Sequence, residues 1–441
     1  MEDFTNKGVR EKTVVDVKKL LAKKWTMIMP IIWIAYLIAY MDRVNIGLAQ
    51  LSMGSDLGIT AAEFGLASGI FFIGYFILEI PGTYIVERWS ARKWIMRIMV
   101  TWGVVAIITG FIQNVIQLYI LRFLLGLMEA SFFPGIIVYI THWFTEDERA
   151  RAVSLFMSAI PISTVVAAPI SGLLLGVNWG GLAGWRWVFI AEGIPAIIWG
   201  FVILFALRDW PREAKWLTQE ERDYLERKYV EEKNSIPQER VKSIKRGLSH
   251  PWVILLAVIY FCNVTGNYAL GFWVPTIIKE LTGASNILVG VLTAVSYAIG
   301  AISMVLVGRH SDRTGERFYH FAIPMIISFI GMLIVSLAAN MAIISYIGII
   351  MAVAGIYPAV SVFWPVPQTT LAGEARAVAV GLVNSVGNLG GFVGPFIVGL
   401  LTSITGSYNA GTLVLSSLFL LGAILHLILR SQVLKSKMKG K

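Results

Sequence analysis

Hydrophobic and polar positions fall along this chain in long blocks. Twelve mostly apolar stretches of 19 to 28 residues occupy about 26–47, 64–86, 94–112, 115–142, 150–176, 186–207, 252–278, 286–308, 319–339, 342–367, 377–404 and 408–430. A helix rises about 1.5 Å per residue, so roughly 20 apolar residues cross the hydrocarbon core of a bilayer. The pattern predicts an all-α membrane protein with twelve transmembrane helices. One polar interruption is much longer than the rest. Residues 208–250 separate two bundles of six helices, 26–207 and 251–430, flanked by tails at 1–25 and 431–441. Inside this linker, "LTQEERDYLERK" places Thr218 and Glu221 as a capping box opening a short amphipathic helix, read as a solvated connector ahead of a regulatory contact. The N-terminal "VVDVKKLLAKKW" reads equally as a helix lying on a leaflet or as an unstructured tail.

The basic residues orient the spans. With the N-terminus in the cytoplasm, 33 of the 37 Lys and Arg lie on the cytoplasmic side: seven in the N-terminal tail, eleven in the linker, five from Arg430 to the C-terminus and the others in intervening turns. This is the positive-inside asymmetry, so both termini are expected in the cytoplasm of a multi-pass protein of the inner or plasma membrane. Arg186 and Lys279 fall at outer helix ends, where long side chains snorkel to the interface. Arg43 and Arg122 fall within spans.

The two bundles repeat each other. "GTYIVERWSARK" and "GRHSDRTGERF" both enter a cytoplasmic turn with Gly, an acid and then Arg. Gly82 and Gly308 lie 226 residues apart, as do Pro169 and Pro395; Glu87–Asp312, Arg88–Arg313 and Arg92–Arg317 each lie 225 apart. A constant offset across distant motifs points to parallel repeats about an axis along the membrane normal, one of the transporter architectures.

Composition narrows the function. Charged residues make up 15% of the chain against about 25% in soluble proteins, with 56% hydrophobic residues and a mean hydropathy of +0.71. The net charge of +10 is distributed as topology demands, so no nucleic-acid partner is expected. A single cysteine, Cys262, excludes an intrachain disulfide. The polar first 24 residues lack the apolar core of a signal peptide, so no cleavable leader is expected. The five histidines have no ligand spacing and no nucleophile–base pair stands out, so no metal, no cofactor and no enzymatic activity are expected.

Ionisable residues within spans are few: Asp42, Arg43, Glu79, Arg122, Glu129 and Glu192. Asp42 and Arg43 would each cost about 2.5–3.5 kcal/mol at the centre of a membrane helix on translocon scales. Glu79, before Pro81, and Glu192, near the outer end of its span, are read as helix-packing residues. Asp42, Arg43, Arg122 and Glu129 differ. Arg122 and Glu129 share a helix face about 10 Å apart along the axis, too far to pair in a straight helix. Each needs a partner, and Asp42 and Arg43 are the available ones. With both acids ionised the four charges sum to zero; each proton taken up leaves one positive charge free to hold an anion. Proton and anion binding are then reciprocally linked, which is the thermodynamic basis of symport. Arginine suits a carboxylate because its fork is bidentate.

The paired acid-Arg-x-x-x-Arg turns resemble the gating signature of the major facilitator superfamily, here Gly82, Glu87, Arg88 and Arg92 in one half and Gly308, Asp312, Arg313 and Arg317 in the other. Within it, "YMDRVNIGLA", "RFLLGLMEASFFPGIIVYITHWF", "ERARAVSLFMSAIPIS" and "GLAGWRWVFIAEGIPA" resemble the anion:cation symporter family, in particular its tartrate, phthalate and 4-hydroxyphenylacetate permeases. The resemblance implies that Asp42 and Glu129 couple protons, that Arg43 engages the substrate carboxylate, that Arg122 modulates Glu129, and that Tyr75 faces the cavity. Tyr40 is a lesser candidate. One departure stands out: the sugar-acid branch is expected to carry Gln where this chain has Ile160. In the second half the 225 offset maps Asp42 and Arg43 onto Asn267 and Tyr268, and Trp273, Trp364, Asn384 and Asn388 complete a neutral, hydrogen-bonding and aromatic set of substrate-binding candidates. "GNLGGFVGP" and "AAPISG" read as close helix-packing segments that let the halves rock.

The expectation is a proton-coupled symporter that takes up a small organic carboxylate by alternating access and works as a monomer in the lipid bilayer. Na+ coupling or anion exchange would keep the fold and change the role of the acids. An anion receptor that signals without transport is a third reading.

Overall fold

The structure is a computed structural model and describes residues 15–235, 251–338, 340–370 and 373–439. The remaining parts of the two tails and of the linker, residues 236–250, lie outside the described residues. The described residues form seventeen α-helices and two short 3-10 turns, with no strand among them. In chain order the first half comprises α1 (Val17–Met27), α2 (Met29–Leu57), α3 (Ala61–Arg88), α4 (Ala91–Thr109), α5 (Val115–Glu129), α6 (Phe132–Trp143), α7 (Glu146–Met157), α8 (Ala159–Leu174) and α9 (Gly184–Ala206). The linker carries α10 (Gln219–Ser235). The second half comprises α11 (Pro251–Thr282), α12 (Asn286–Thr314), α13 (Phe318–Leu337), α14 (Ala342–Phe363), α15 (Pro365–Thr370), α16 (Gly373–Thr405) and α17 (Asn409–Lys439).

Eleven stretches among the described residues are long and apolar enough to cross a membrane. The expected third span, α4, is not one of them, because Arg92, Lys93 and Arg97 crowd its first two turns. It is nonetheless packed into the bundle: a Cβ on Gly103 would lie 2.7 Å from the carbonyl oxygen of Gly193 on α9. The outer surface is inverted relative to a water-soluble protein. Phe205, Leu337, Ile343 and Ile404 are each more than 70% exposed. Apolar exposure on this scale is a liability in water and the natural surface in lipid.

The fourth and fifth spans are each broken. α5 ends at Glu129, where Ala130 turns extended and Ser131 adopts φ 66°, the one non-glycine residue at positive φ among those described. Trp94 Nε1 donates to Ser131 Oγ at 3.1 Å, and Gly82 packs its bare Cα against the same oxygen. Gly82 is therefore a packing position beneath the break as well as part of the turn motif.

The linker helix is not a solvated connector. Thr218 and Glu221 form the expected capping box, with Glu221 N–H donating to Thr218 Oγ1 at 3.3 Å and Thr218 N–H to the Glu221 carboxylate at 2.9 Å. Glu221 also accepts from Lys23 Nζ at 2.7 Å, Lys24 pairs with Glu148 at 2.5 Å, and Arg149 pairs with Glu232 at 2.5 Å. The N-terminal segment is thus helical and docked on protein: α1 and α10 both clamp onto the first half. Thr218→Ala is expected to destabilise α10 by about 1 kcal/mol. Hydrogen exchange of amides in 219–235 should then rise about fivefold, since 1.4 kcal/mol is tenfold.

The halves meet along two long crossings, α3 with α16 and α8 with α12, and along a shorter one where α2 passes α11. At the first, a Cβ on Gly65 would lie 2.6 Å from Pro395 O, and Gly399 touches the Ala61 carbonyl. At the second, a Cβ on Gly172 would lie 2.8 Å from Asn286 O, and Gly290 touches the Ala168 carbonyl. Gly65 and Gly290 are 225 residues apart and Gly172 and Gly399 are 227 apart, so one contact is made twice by the internal repeat. These crossings seal the face away from α1 and α10. On the linker face the halves part, leaving a cleft of about 640 Å³ lined by Arg151, Ser154, Ala301, Met304, Gly308 and Asp312 among others.

A side chain at either crossing should oppose this closure. Gly290→Val and Gly399→Val are each expected to shift the protein away from the linker-open state. In a Cys262→Ser background, maleimide labelling of Ala301→Cys in the cleft should slow several-fold in either variant.

Candidate transport site

The helix period explains what α2 presents. Tyr36, Tyr40 and Arg43 are spaced four and three apart, so they form one face, and all three line a central cavity with about 100 Å³ of free volume. Asp42, adjacent in sequence, is rotated off that face and is buried. Rings of Tyr40, Phe71 and Tyr75 surround the Arg43 guanidinium with centroids at 4.8, 5.3 and 5.5 Å. One guanidinium nitrogen donates to Tyr268 Oη at 3.0 Å and the other to the Glu129 carboxylate. Arg43 therefore bonds to both halves. Tyr268 is its counterpart under the 225 offset, and two residues exchanged by a two-fold can touch only near the axis. Arg43 thus sits at the pseudo-symmetry axis.

Glu129 is the last residue of α5, where the helix dipole disfavours a carboxylate; Arg43 compensates it. The expected second pairing, between Arg122 and Asp42, is not direct. Arg122 is 1% exposed, with its guanidinium 5.0 Å from the Phe71 ring and Nε donating to Ala67 O at 3.4 Å. Its two terminal nitrogens, Asp42 Oδ2 and Glu129 Oε2 have no hydrogen-bond partner among the described residues. Arg122, Asp42 and Glu129 sit behind the cavity wall, and Arg43 alone of the four lines it.

The second half supplies Asn267, Tyr268, Trp364, Asn384 and Asn388 to the cavity, with Tyr75 opposite. Trp273 is not among them: it is buried at the sealed face, between Phe64 and Tyr408, with Nε1 donating to Pro395 O at 3.1 Å. Ile160 lines the wall, so the position expected to be Gln in the sugar-acid branch offers no hydrogen bond here. Glu79, expected as a helix-packing residue, is placed differently. It lies on the cavity, its two oxygens accepting from Nδ2 of Asn384 and Asn388 at 3.1 Å each. The signal was its i+4 spacing from Tyr75 on one helix face. Glu192 is buried and accepts from Ser171 Oγ at 3.4 Å.

The turn motifs behave differently in the two halves. Arg92 pairs with Asp209 at 3.4 Å, Arg88 lies over the Tyr84 ring, and the Glu87 side chain lies outside the described residues. Asp312 pairs with Arg317 at 2.7 Å; both line the open cleft with Gly308, while Arg313 is exposed. Met157 and Met304 border both the cleft and the central cavity and so lie between them. Among the described residues no group of His, Cys, Asp and Glu could hold a metal ion.

Two helical halves with a cavity on their shared axis, parted by a cleft at one face and sealed at the other, define a multi-pass membrane transporter rather than an enzyme. Residues 32–395 match the Major Facilitator Superfamily, and the chain belongs to it. The chain is 44% identical to a "Putative tartrate transporter" of Agrobacterium vitis, over 95% of this chain and 94% of that one. It is 35% identical to the "Putative metabolite transport protein NicT" of Pseudomonas putida, over 94% and 95%. A bacterial homologue of the human lysosomal transporter Spinster, solved inward-facing and unoccupied, shares the fold with a TM-score of 0.76 at 17% identity, covering 92% of this chain and 97% of that one.

Proposed function

We propose that this protein is a proton-coupled symporter for a small organic carboxylate, working by alternating access as a monomer, with the linker face in the cytoplasm. The observation that carries the reading is the axial Arg43, shared between Glu129 in one half and Tyr268 in the other. While Glu129 is ionised, the guanidinium is neutralised by the protein itself. A proton on Glu129 frees it for the carboxylate of a substrate, and Asp42 and Arg122 behind it set the local field. The name of the Agrobacterium relative supports a hydroxy-dicarboxylate such as tartrate. The aromatic lining and Ile160 favour a compact or aromatic acid over a sugar acid.

Uptake into proteoliposomes under an imposed inward proton gradient tests this directly, with tartrate, 4-hydroxyphenylacetate, phthalate and galactonate as the panel. One acid should accumulate, and a protonophore should collapse the accumulation. Uptake that ignores the proton gradient and requires Na+ or an internal anion would replace the proposal with one of its rivals.

A further inference from the structure

Glu79 stands outside the four charges used above, yet it makes a link of its own between the halves. It lies on α3 one turn beyond Tyr75, where the crossing with α16 widens into the cavity. Both carboxylate oxygens are engaged, one by the side-chain amide of Asn384 and the other by that of Asn388, each at 3.1 Å. The two asparagines are four residues apart on α16, so their amides converge from adjacent turns of one helix face. A pair of N–H donors spaced to meet the two oxygens of one carboxylate is a carboxylate receptor. Here it is filled by a carboxylate of the opposite half, in the same cavity as Arg43.

We propose that Glu79 is an internal competitor of the substrate: in the linker-open state it occupies the amide pair of Asn384 and Asn388 that receives the second carboxylate of a dicarboxylate. This rests on the carboxylate reading of the site and narrows it. A dicarboxylate engages Arg43 with one end and the amide pair with the other, displacing Glu79 and exchanging a fixed bridge between the halves for one made through the substrate. A monocarboxylate engages Arg43 only and leaves the Glu79 bridge intact. The amide pair distinguishes a substrate with two carboxylates from one with a single carboxylate, and Glu79, by occupying that pair, holds the preference down until it is displaced.

Equilibrium binding to the detergent-purified full chain tests this, using tartrate and its monoamide, which keeps the shape and lacks one carboxylate. Glu79→Ala should tighten tartrate about tenfold and leave the monoamide within twofold. Glu79→Gln, a neutral isostere, should shift tartrate in the same direction. Asn384→Ala together with Asn388→Ala should weaken tartrate at least tenfold and spare the monoamide. If wild type binds tartrate and Glu79→Ala leaves it unchanged, or weakens both ligands alike, Glu79 is no competitor and this inference alone is overturned. If neither wild type nor Glu79→Ala binds any acid of the uptake panel, the carboxylate reading falls and takes the inference with it.

Discussion

Arg43→Ala and Arg43→Lys are each expected to abolish concentrative uptake. Removing one partner of a buried, hydrogen-bonded charge pair costs about 2–5 kcal/mol, or roughly thirtyfold and more in affinity. Lysine cannot replace a fork that reaches Glu129 and Tyr268 at once. A loss of function in Arg43→Ala alone has two explanations, because it also leaves Glu129 buried without its cation. The double variant Arg43→Ala/Glu129→Gln removes both charges and separates them. It should recover the thermal stability of the wild type while remaining inactive in uptake and silent in substrate binding. Recovered transport in the double variant would mean that the pair serves only to hold the first half together.

Glu129→Gln and Asp42→Asn are expected to uncouple the transporter. Each coupled proton is worth about 1.4 kcal/mol per pH unit, so in electroneutral symport wild type should concentrate substrate at least about tenfold per unit of gradient, by one such factor for each proton carried. In the variants this ratio should fall to about one, while counterflow of labelled against unlabelled substrate continues. The pH dependence carries a sign. Wild-type affinity should fall as pH rises, because fewer molecules carry the proton that frees Arg43. Glu129→Gln behaves as permanently protonated at that position, so its affinity should be flat across the same range. Variants that still concentrate substrate would return both acids to a structural role.

Much of this is legible in the sequence. Block hydropathy located the spans, and the Thr218–Glu221 capping box was readable because its reciprocal hydrogen bonds are local. The 225 offset made Tyr268 the repeat counterpart of Arg43, but that the two touch follows only from the position of the axis in the folded bundle. What escaped was set by long-range packing. The break after Glu129 has no glycine at its positive-φ position; Ser131 is held there by Trp94 and by the bare Cα of Gly82, from other helices. The lysines of α1 look the same whether they face phospholipid or Glu148 and Glu221, 124 and 198 residues away. Glu79 and Trp273 exchanged their expected places because a helix face is defined only up to its rotation, which neighbouring helices fix.

The pairing of Arg43 with Glu129 also bears on how the chain is made. The partners lie 86 residues apart, in the first and fourth spans. A ribosome delivers the first span to the membrane long before its counter-charge exists, so for that interval an aspartate and an arginine must be carried by the apolar residues around them. The first half can settle only when the fourth span arrives, and Tyr268 comes later still. Insertion of the first half is thus an ordered assembly in which the substrate-binding cation is neutralised before the second half closes over it.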